Sequence, residues 1–226
     1  MKGIFITATG TDVGKTYISA LLVKKMRESG HNCGYFKPVL SGAETVNGRL
    51  IPGDCDYVLK FAGINENPMD FVSYAFEAPL SPHLSSELEN VHVSSQKIKN
   101  DFEKLKNKYD YIVVEGAGGI VCPFNLRQGE QLLISDIIND LGLDILIVSS
   151  AALGSINSAV LTVEYAKQHN INIAGIILNN YNPSDFMQVD NKKQIENLTS
   201  VNILGTVKNG QDFIDIVDLK NVFKEI

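Results

Sequence analysis

Cysteine is scarce in this chain: Cys33, Cys55 and Cys122 are odd in number, far apart and form no Cys-x-x-Cys pair. That pattern indicates neither a disulfide framework nor a zinc site. The four histidines, His31, His83, His92 and His169, are equally without metal-ligand spacing. No run approaches the ~18 apolar residues of a membrane span, and the apolar stretch from Met1 to Ala8 is too short for a signal peptide. Basic charge is also in short supply. Twenty Lys and Arg stand against 26 Asp and Glu, a formal charge of −6, and the pI is near 5.2. A general nucleic-acid binder would show a basic face instead. The expectation is a cytoplasmic protein with neither nucleic-acid nor membrane partners. Its 226 residues, 44% of them hydrophobic, fit one α/β domain over residues 1–226 with a core between helix layers.

Six short apolar runs end in small or polar residues, at 3–8, 34–39, 111–115, 144–149, 173–179 and 201–207. Helical patterns lie near 15–29, 95–107, 131–141, 155–169, 185–198 and 211–224. Ile112-Val-Val and Ile145-Leu-Ile-Val are apolar without alternation, as strands buried on both faces must be. This alternation of run and helix predicts an α/β, doubly wound fold: a mainly parallel sheet with helices on both faces. Segment 40–94 is the least regular, broken by Asn47-Gly48, Pro52-Gly53, Pro68, Pro79 and Pro82. Long connections of this kind often carry function.

The phosphate-binding signal is Gly3-Ile-Phe-Ile-Thr-Ala-Thr-Gly-Thr-Asp-Val-Gly-Lys-Thr16, followed by Ile18, Leu21, Leu22 and Met26 at helical spacing. Strand, glycine-bearing loop, Lys-Thr and helix is the layout of a P-loop. Backbone N–H groups and the helix N-terminus supply partial positive charge, Lys15 a full one, and the Thr16 hydroxyl a magnesium ligand. The strict pattern asks for glycine where Thr9 stands, and Gly10 comes one place late. The plainer alternative is a helix that happens to begin Gly-Lys-Thr.

In open parallel sheets ligands bind beyond the carboxyl ends of the strands, so the polar residues there carry the argument. Lys37 lies toward the end of the second run, held extended by Pro38; taken in isolation, such a lysine reaches out to solvent. Glu115 tops the run Tyr-Ile-Val-Val, where an acid either holds magnesium or is simply solvated. Gly116-Ala-Gly-Gly119 after it permits close backbone approach. Asp54 reads as a helix N-cap or, beside Lys15 and Thr16, as a further magnesium oxygen. Ser81-Pro82-His83 has no nucleophile elbow around it and reads as a turn into a helix.

Together these segments resemble the dethiobiotin synthetase family. The resemblance rests on Thr9–Thr16, Tyr35-Phe-Lys-Pro-Val-x-Ser-Gly42, Asp54, Ala78-Pro-x-Ser-Pro-His83, Val114-Glu-Gly-Ala-Gly-Gly119, Leu153-Gly-Ser-Ile-Asn157 and Gly175-x-x-x-Asn179, in family order. It implies a P-loop NTPase-like fold and a homodimeric enzyme joining 7,8-diaminononanoate, CO2 or bicarbonate and ATP, with Mg2+, to give dethiobiotin, ADP and phosphate. Lys15 and Lys37 would be catalytic. The nucleotide would meet Thr11, Asp12, Val13, Gly14, Lys15, Thr16 and Tyr17, with Asn179 reading adenine. Thr16, Asp54 and Glu115 would hold magnesium. Ser41 would contact the carbamate or its nearby amines. Gly118 and Gly119, with Gly154, Ser155 and Asn157 from the partner subunit, would receive the carboxylate tail. The chain departs from the family at Ala8, where glycine is usual, and at Gly205-Thr-Val-Lys208, where Gly-x-Ile-Pro is frequent; 185–226 resembles it little.

A second class of function shares this architecture: the ParA- or MinD-like ATPase switch. Such proteins carry a lysine near the start of the loop, in a Lys-Gly-Gly-x-Gly-Lys-Thr context, where this chain has Ala8-Thr9-Gly10. The interspersed Asp212, Asp215 and Asp218 also deny the C-terminal segment the basic face of a membrane-targeting helix.

Overall fold

A computed structural model of the chain describes every residue except Val217. β1 (Lys2–Ala8) runs through the middle of the main sheet, with Ile4, Phe5 and Ile6 wholly buried. Consecutive apolar residues suit this place because helices cover both faces of the sheet. The other parallel strands are β2 (Cys33–Ser41), β5 (Val72–Phe76), β6 (Tyr111–Glu115), β9 (Ile145–Ser149), β10 (Ile173–Asn179) and β11 (Ile203–Val207). Their order is β11-β10-β9-β1-β6-β2-β5, and every pair in that path is parallel. The chain winds outward on one side of β1, returns through β6, and then winds out on the other side. β1 therefore lies at the topological switch, where a crevice opens at the strand ends. The short β12 (Lys224–Glu225) joins antiparallel to the first residues of β1, where β9 has not yet begun.

Among the described residues seven α-helices complete the layers: α1 (Lys15–Glu28), α2 (Gly53–Phe61), α3 (Pro82–Leu88), α4 (Ser95–Lys106), α5 (Ile134–Leu141), α6 (Ser155–Gln168) and α7 (Phe186–Thr199). Five of the six expected helices and all six expected strands are present. The irregular segment 40–94 instead holds the hairpin of β3 (Glu44–Val46) with β4 (Arg49–Ile51), then α2, a 3-10 turn at Pro68–Phe71, the edge strand β5 and α3. A second hairpin, β7 (Pro123–Asn125) with β8 (Leu132–Leu133), precedes α5.

The helix expected over 211–224 is a correction. Residues 211–216 have no regular structure, and a 3-10 turn at Leu219–Val222 leads into β12; Val217 lies outside the described residues. Side chains of α1 satisfy the backbone here in place of a helical ladder. Lys24 and Lys25 donate to the carbonyls of Asp212 and Ile214, and the Tyr17 hydroxyl donates to that of Gln211. Ile214 and Ile216 are buried while Phe213 is exposed, the two-residue period of extended chain.

Candidate active site

The P-loop bends where its sequence permits. Gly14 caps α1 at φ +95°, a conformation that costs other residues roughly 1–2 kcal/mol. A Cβ there would lie 2.1 Å from Asn179 Nδ2. That amide comes from the end of β10 and donates to the Val13 carbonyl at 3.0 Å, tying the loop to the sheet. Asn179 Oδ1 is buried with no partner. Thr11 and Asp12 are exposed at the rim, with Asp12 at φ +60°. Lys15 is buried, and its Nζ donates to the Gly10 carbonyl at 3.3 Å. Burial lowers its pKa, and neighbouring Lys37 lowers it further, against a partial offset from Glu115 and Asp54. A phosphate would supply the negative charge that this ammonium is short of.

Beside the loop stands a closed ionic cluster. Lys37 Nζ is 2.7 Å from Glu115 Oε1, 2.7 Å from Asp54 Oδ2 and 3.0 Å from the Gly116 carbonyl, so all three of its protons are committed. Thr16 Oγ1 donates to the same Glu115 oxygen at 2.9 Å, and the Tyr35 hydroxyl donates to Oε2 at 2.8 Å. Glu115 is completely buried and Lys37 nearly so. In this respect the structure corrects the isolated readings of both residues: neither a solvated carboxylate nor a lysine reaching for water is found, because each neutralises the other. Burial would lower the Lys37 pKa, but the two carboxylates outweigh it and raise the value overall. Burial would likewise raise the Asp54 pKa, yet Lys37, Thr16 and Lys15 together hold it below the usual aspartate value. Burial and Glu115 keep the Tyr35 phenol protonated by raising its pKa well above normal. Asp54 occupies the first turn of α2, whose N-cap is Pro52; its charge favours that helix end without capping it.

Thr16, Asp54 and Glu115 present only oxygen donors around one ammonium. Hard oxygens of this kind suit Mg2+, which takes one or two carboxylates and completes its shell with phosphate and water. Among the described residues no group of three or more His, Cys, Asp or Glu could hold a metal unaided. A cation here would complete its shell with water and with oxygens of a bound nucleotide.

A cavity of about 610 Å³ takes in both the loop and the cluster. Lys15, Lys37, Ser41, Asp54 and Glu115 line it, as do Thr11, Asp12, Gly118 and Gly119. Ser41 Oγ is buried without a partner. Val13 and Gly14 belong to the adjoining loop, and Thr16 to the first turn of α1. Tyr17 turns away toward Gln211. Gly154, Ser155 and Asn157 are not among the cavity's residues; they form the start of α6, where Ser155 Oγ is also buried and unpartnered. Sequence reasoning assigned no role to Tyr35, to the Gly116 carbonyl, or to Cys122, which lines the cavity with its thiol raised by burial to about 11. Tyr35 alone left a legible signal, an amphipathic phenol two residues before Lys37 on an otherwise apolar strand.

Comparison with known proteins agrees with this geometry. A family model described as an AAA domain matches residues 2–215. The ATP-dependent dethiobiotin synthetase BioD of Clostridium botulinum strain Alaska E43 is 49% identical over 223 residues, 98% of each chain. The protein of the same name from the Langeland strain is 46% identical over all 226 residues and 99% of its own length. Among solved structures, a ParA family ATPase from Chlorobium tepidum TLS superposes with a TM-score of 0.56 over 93% of this chain and 86% of its own. At 13% identity that likeness speaks for the doubly wound P-loop fold alone. With this loop, this ionic cluster and relatives matched end to end, the chain belongs to the ATP-dependent dethiobiotin synthetases.

Proposed function

We propose that the chain closes the ureido ring of 7,8-diaminononanoate with carbon dioxide, at the expense of ATP, releasing dethiobiotin, ADP and phosphate. One observation carries the reading: Lys15 of the P-loop and Lys37 of the ionic cluster line the same cavity, close enough for each to feel the other's charge. One amine of the substrate captures CO2 as a carbamate, and a carbamate oxygen attacks the γ-phosphorus while ADP leaves. The second amine attacks the carbonyl carbon of the resulting carbamic-phosphoric anhydride, and phosphate departs. The first step brings two anions together. Lys15 holds the phosphates, while Lys37, keeping its charge, turns one of its committed N–H donors to the carbamate, lowering that repulsion. Ser41, with its unpartnered hydroxyl, offers a further contact to the carbamate or amines.

Mg2+ fits among Thr16, Asp54 and Glu115, where it would neutralise charge on the transferring phosphoryl group. Asn179 Oδ1, unpartnered and buried beside the loop, suits an amino group such as that of adenine. Holding both amines on one rigid site makes the second attack intramolecular, an effect worth roughly 7–11 kcal/mol in the best cases. The carboxylate tail finds N–H donors at Gly118 and Gly119 and at the start of α6, with its unpartnered Ser155 hydroxyl. We assign the α6 donors to a second copy in a cytoplasmic homodimer. The exposure of Leu153 (89%) and Phe186 (88%), just before α6 and at the start of α7, supports a covering subunit.

The route is tested with freshly dissolved 18O-labelled CO2 in a brief turnover. Attack by a carbamate oxygen predicts one 18O atom in the released phosphate; unlabelled phosphate alongside dethiobiotin would exclude the carbamic-phosphoric anhydride.

A further inference from the structure

Glu115 is a carboxylate with no exposed surface, and its two oxygens do different work. Oε1 accepts from Lys37, which lines the cavity, and from Thr16. Oε2 accepts from the Tyr35 hydroxyl alone, at 2.8 Å. Tyr35 is itself fully buried. It sits two residues before Lys37 on β2, so both side chains leave the strand on one face. Its neighbour across the ladder is Val113 of β6, two residues before Glu115, which brings the phenol level with the carboxylate. The geometry points to Tyr35 as a positioning residue: its hydroxyl fixes Glu115 so that Oε1 is presented to Thr16, Lys37 and the metal. This rests on the reading of Glu115 as a magnesium ligand.

A half-turn of the carboxylate merely exchanges equivalent oxygens, but any smaller turn tilts its plane away from Thr16 and Lys37. Donors on both oxygens resist that tilt, because it would break the charge-assisted hydrogen bond from Tyr35 in a buried place. Neither Tyr35 nor Glu115 has exposed surface, so water does not compete for Oε2 at the phenol side. Partners that orient a metal ligand in this way typically matter 10–100-fold for metal affinity.

Tyr35→Phe keeps the ring and removes the donor. Tyr109→Phe is the control, since Tyr109 is also buried and also donates to a carboxylate, Glu66, at 2.8 Å, but not to any residue of the cluster. The measurement is the Mg2+ concentration that half-saturates binding of the β,γ-imido analogue of ATP, followed by calorimetry, with melting temperatures recorded alongside. Tyr35→Phe is expected to raise that concentration about tenfold or more; Tyr109→Phe is expected to leave it unchanged while losing comparable thermal stability. In a Glu115→Gln background Tyr35→Phe should cause no further rise, because it acts through Glu115. An unchanged Mg2+ requirement in Tyr35→Phe, with Glu115→Gln shifted, overturns the positioning role and leaves the metal reading standing. No shift in Glu115→Gln itself overturns both.

Discussion

Lys37→Met is the substitution whose consequences the structure sets most sharply. The ammonium that it removes is 4% exposed and bridges Glu115, which is 0% exposed, and Asp54, which is 36% exposed. Methionine fills the space but leaves Glu115 a buried charge held only by Thr16 and Tyr35. Removing one partner of a buried pair costs roughly 3–5 kcal/mol, because the other charge is left desolvated and uncompensated. The two remaining donors place the loss near the lower end, about 3 kcal/mol. For a domain of this size that corresponds to a fall of roughly 6–12 °C in melting temperature. Calorimetric unfolding of the ligand-free protein reads it directly. Glu115→Gln added to Lys37→Met discharges the stranded carboxylate and should recover part of the loss, so the two substitutions are strongly non-additive. A Lys37→Met protein that melts within about 2 °C of wild type, or a double mutant that is fully additive, would refute a neutralised buried pair.

Lys15→Met should behave in the opposite way: burial already disfavours its charge, so melting stays level or rises while calorimetric ATP binding is lost. Gly14→Ala forces a methyl group to within 2.1 Å of Asn179 Nδ2 at φ +95° and should cost about 2–3 kcal/mol, from strain and the displaced hydrogen bond. Adding Asn179→Ala should restore part of that stability in the same unfolding assay. Away from the site, burial would raise the Glu66 pKa, but Lys108 and Tyr109 outweigh it and hold the value below the ordinary 4.5. A depressed carboxylate contributes stability above its unfolded pKa and loses it as pH falls through the folded value. Glu66→Gln should therefore flatten the decline of stability below about pH 4.5, measured by denaturant unfolding across pH.

The sheet was legible because its strands obey a simple physical rule. Ile4-Phe5-Ile6, Ile112-Val-Val and Ile145-Leu-Ile-Val are apolar on both faces, which only doubly covered parallel strands need. Local chemistry likewise announced the P-loop, since Gly14 followed by Lys15-Thr16 suits one backbone path. Segment 40–94 was opaque because its elements are short and proline-broken; β5 spans only Val72–Phe76 and gains its place by pairing with β2. The tail over 211–216 was misread because its partners, Tyr17, Lys24 and Lys25, lie almost two hundred residues away in sequence. At the site, residue identities could be read but their environments could not. Whether Lys37 meets water or Glu115 depends on β6 lying beside β2, a fact of topology that no local pattern around Lys37 encodes. Tyr35 went without a role for the same reason.

The most direct measurement incubates the purified protein with 7,8-diaminononanoate, bicarbonate, Mg2+ and ATP, and quantifies dethiobiotin and ADP together. Dethiobiotin formed mole for mole with ADP, and abolished by omitting the diamine, is the expected result. ADP released without dethiobiotin, at a rate indifferent to the diamine, would contradict the account and favour an ATPase switch built on the same fold.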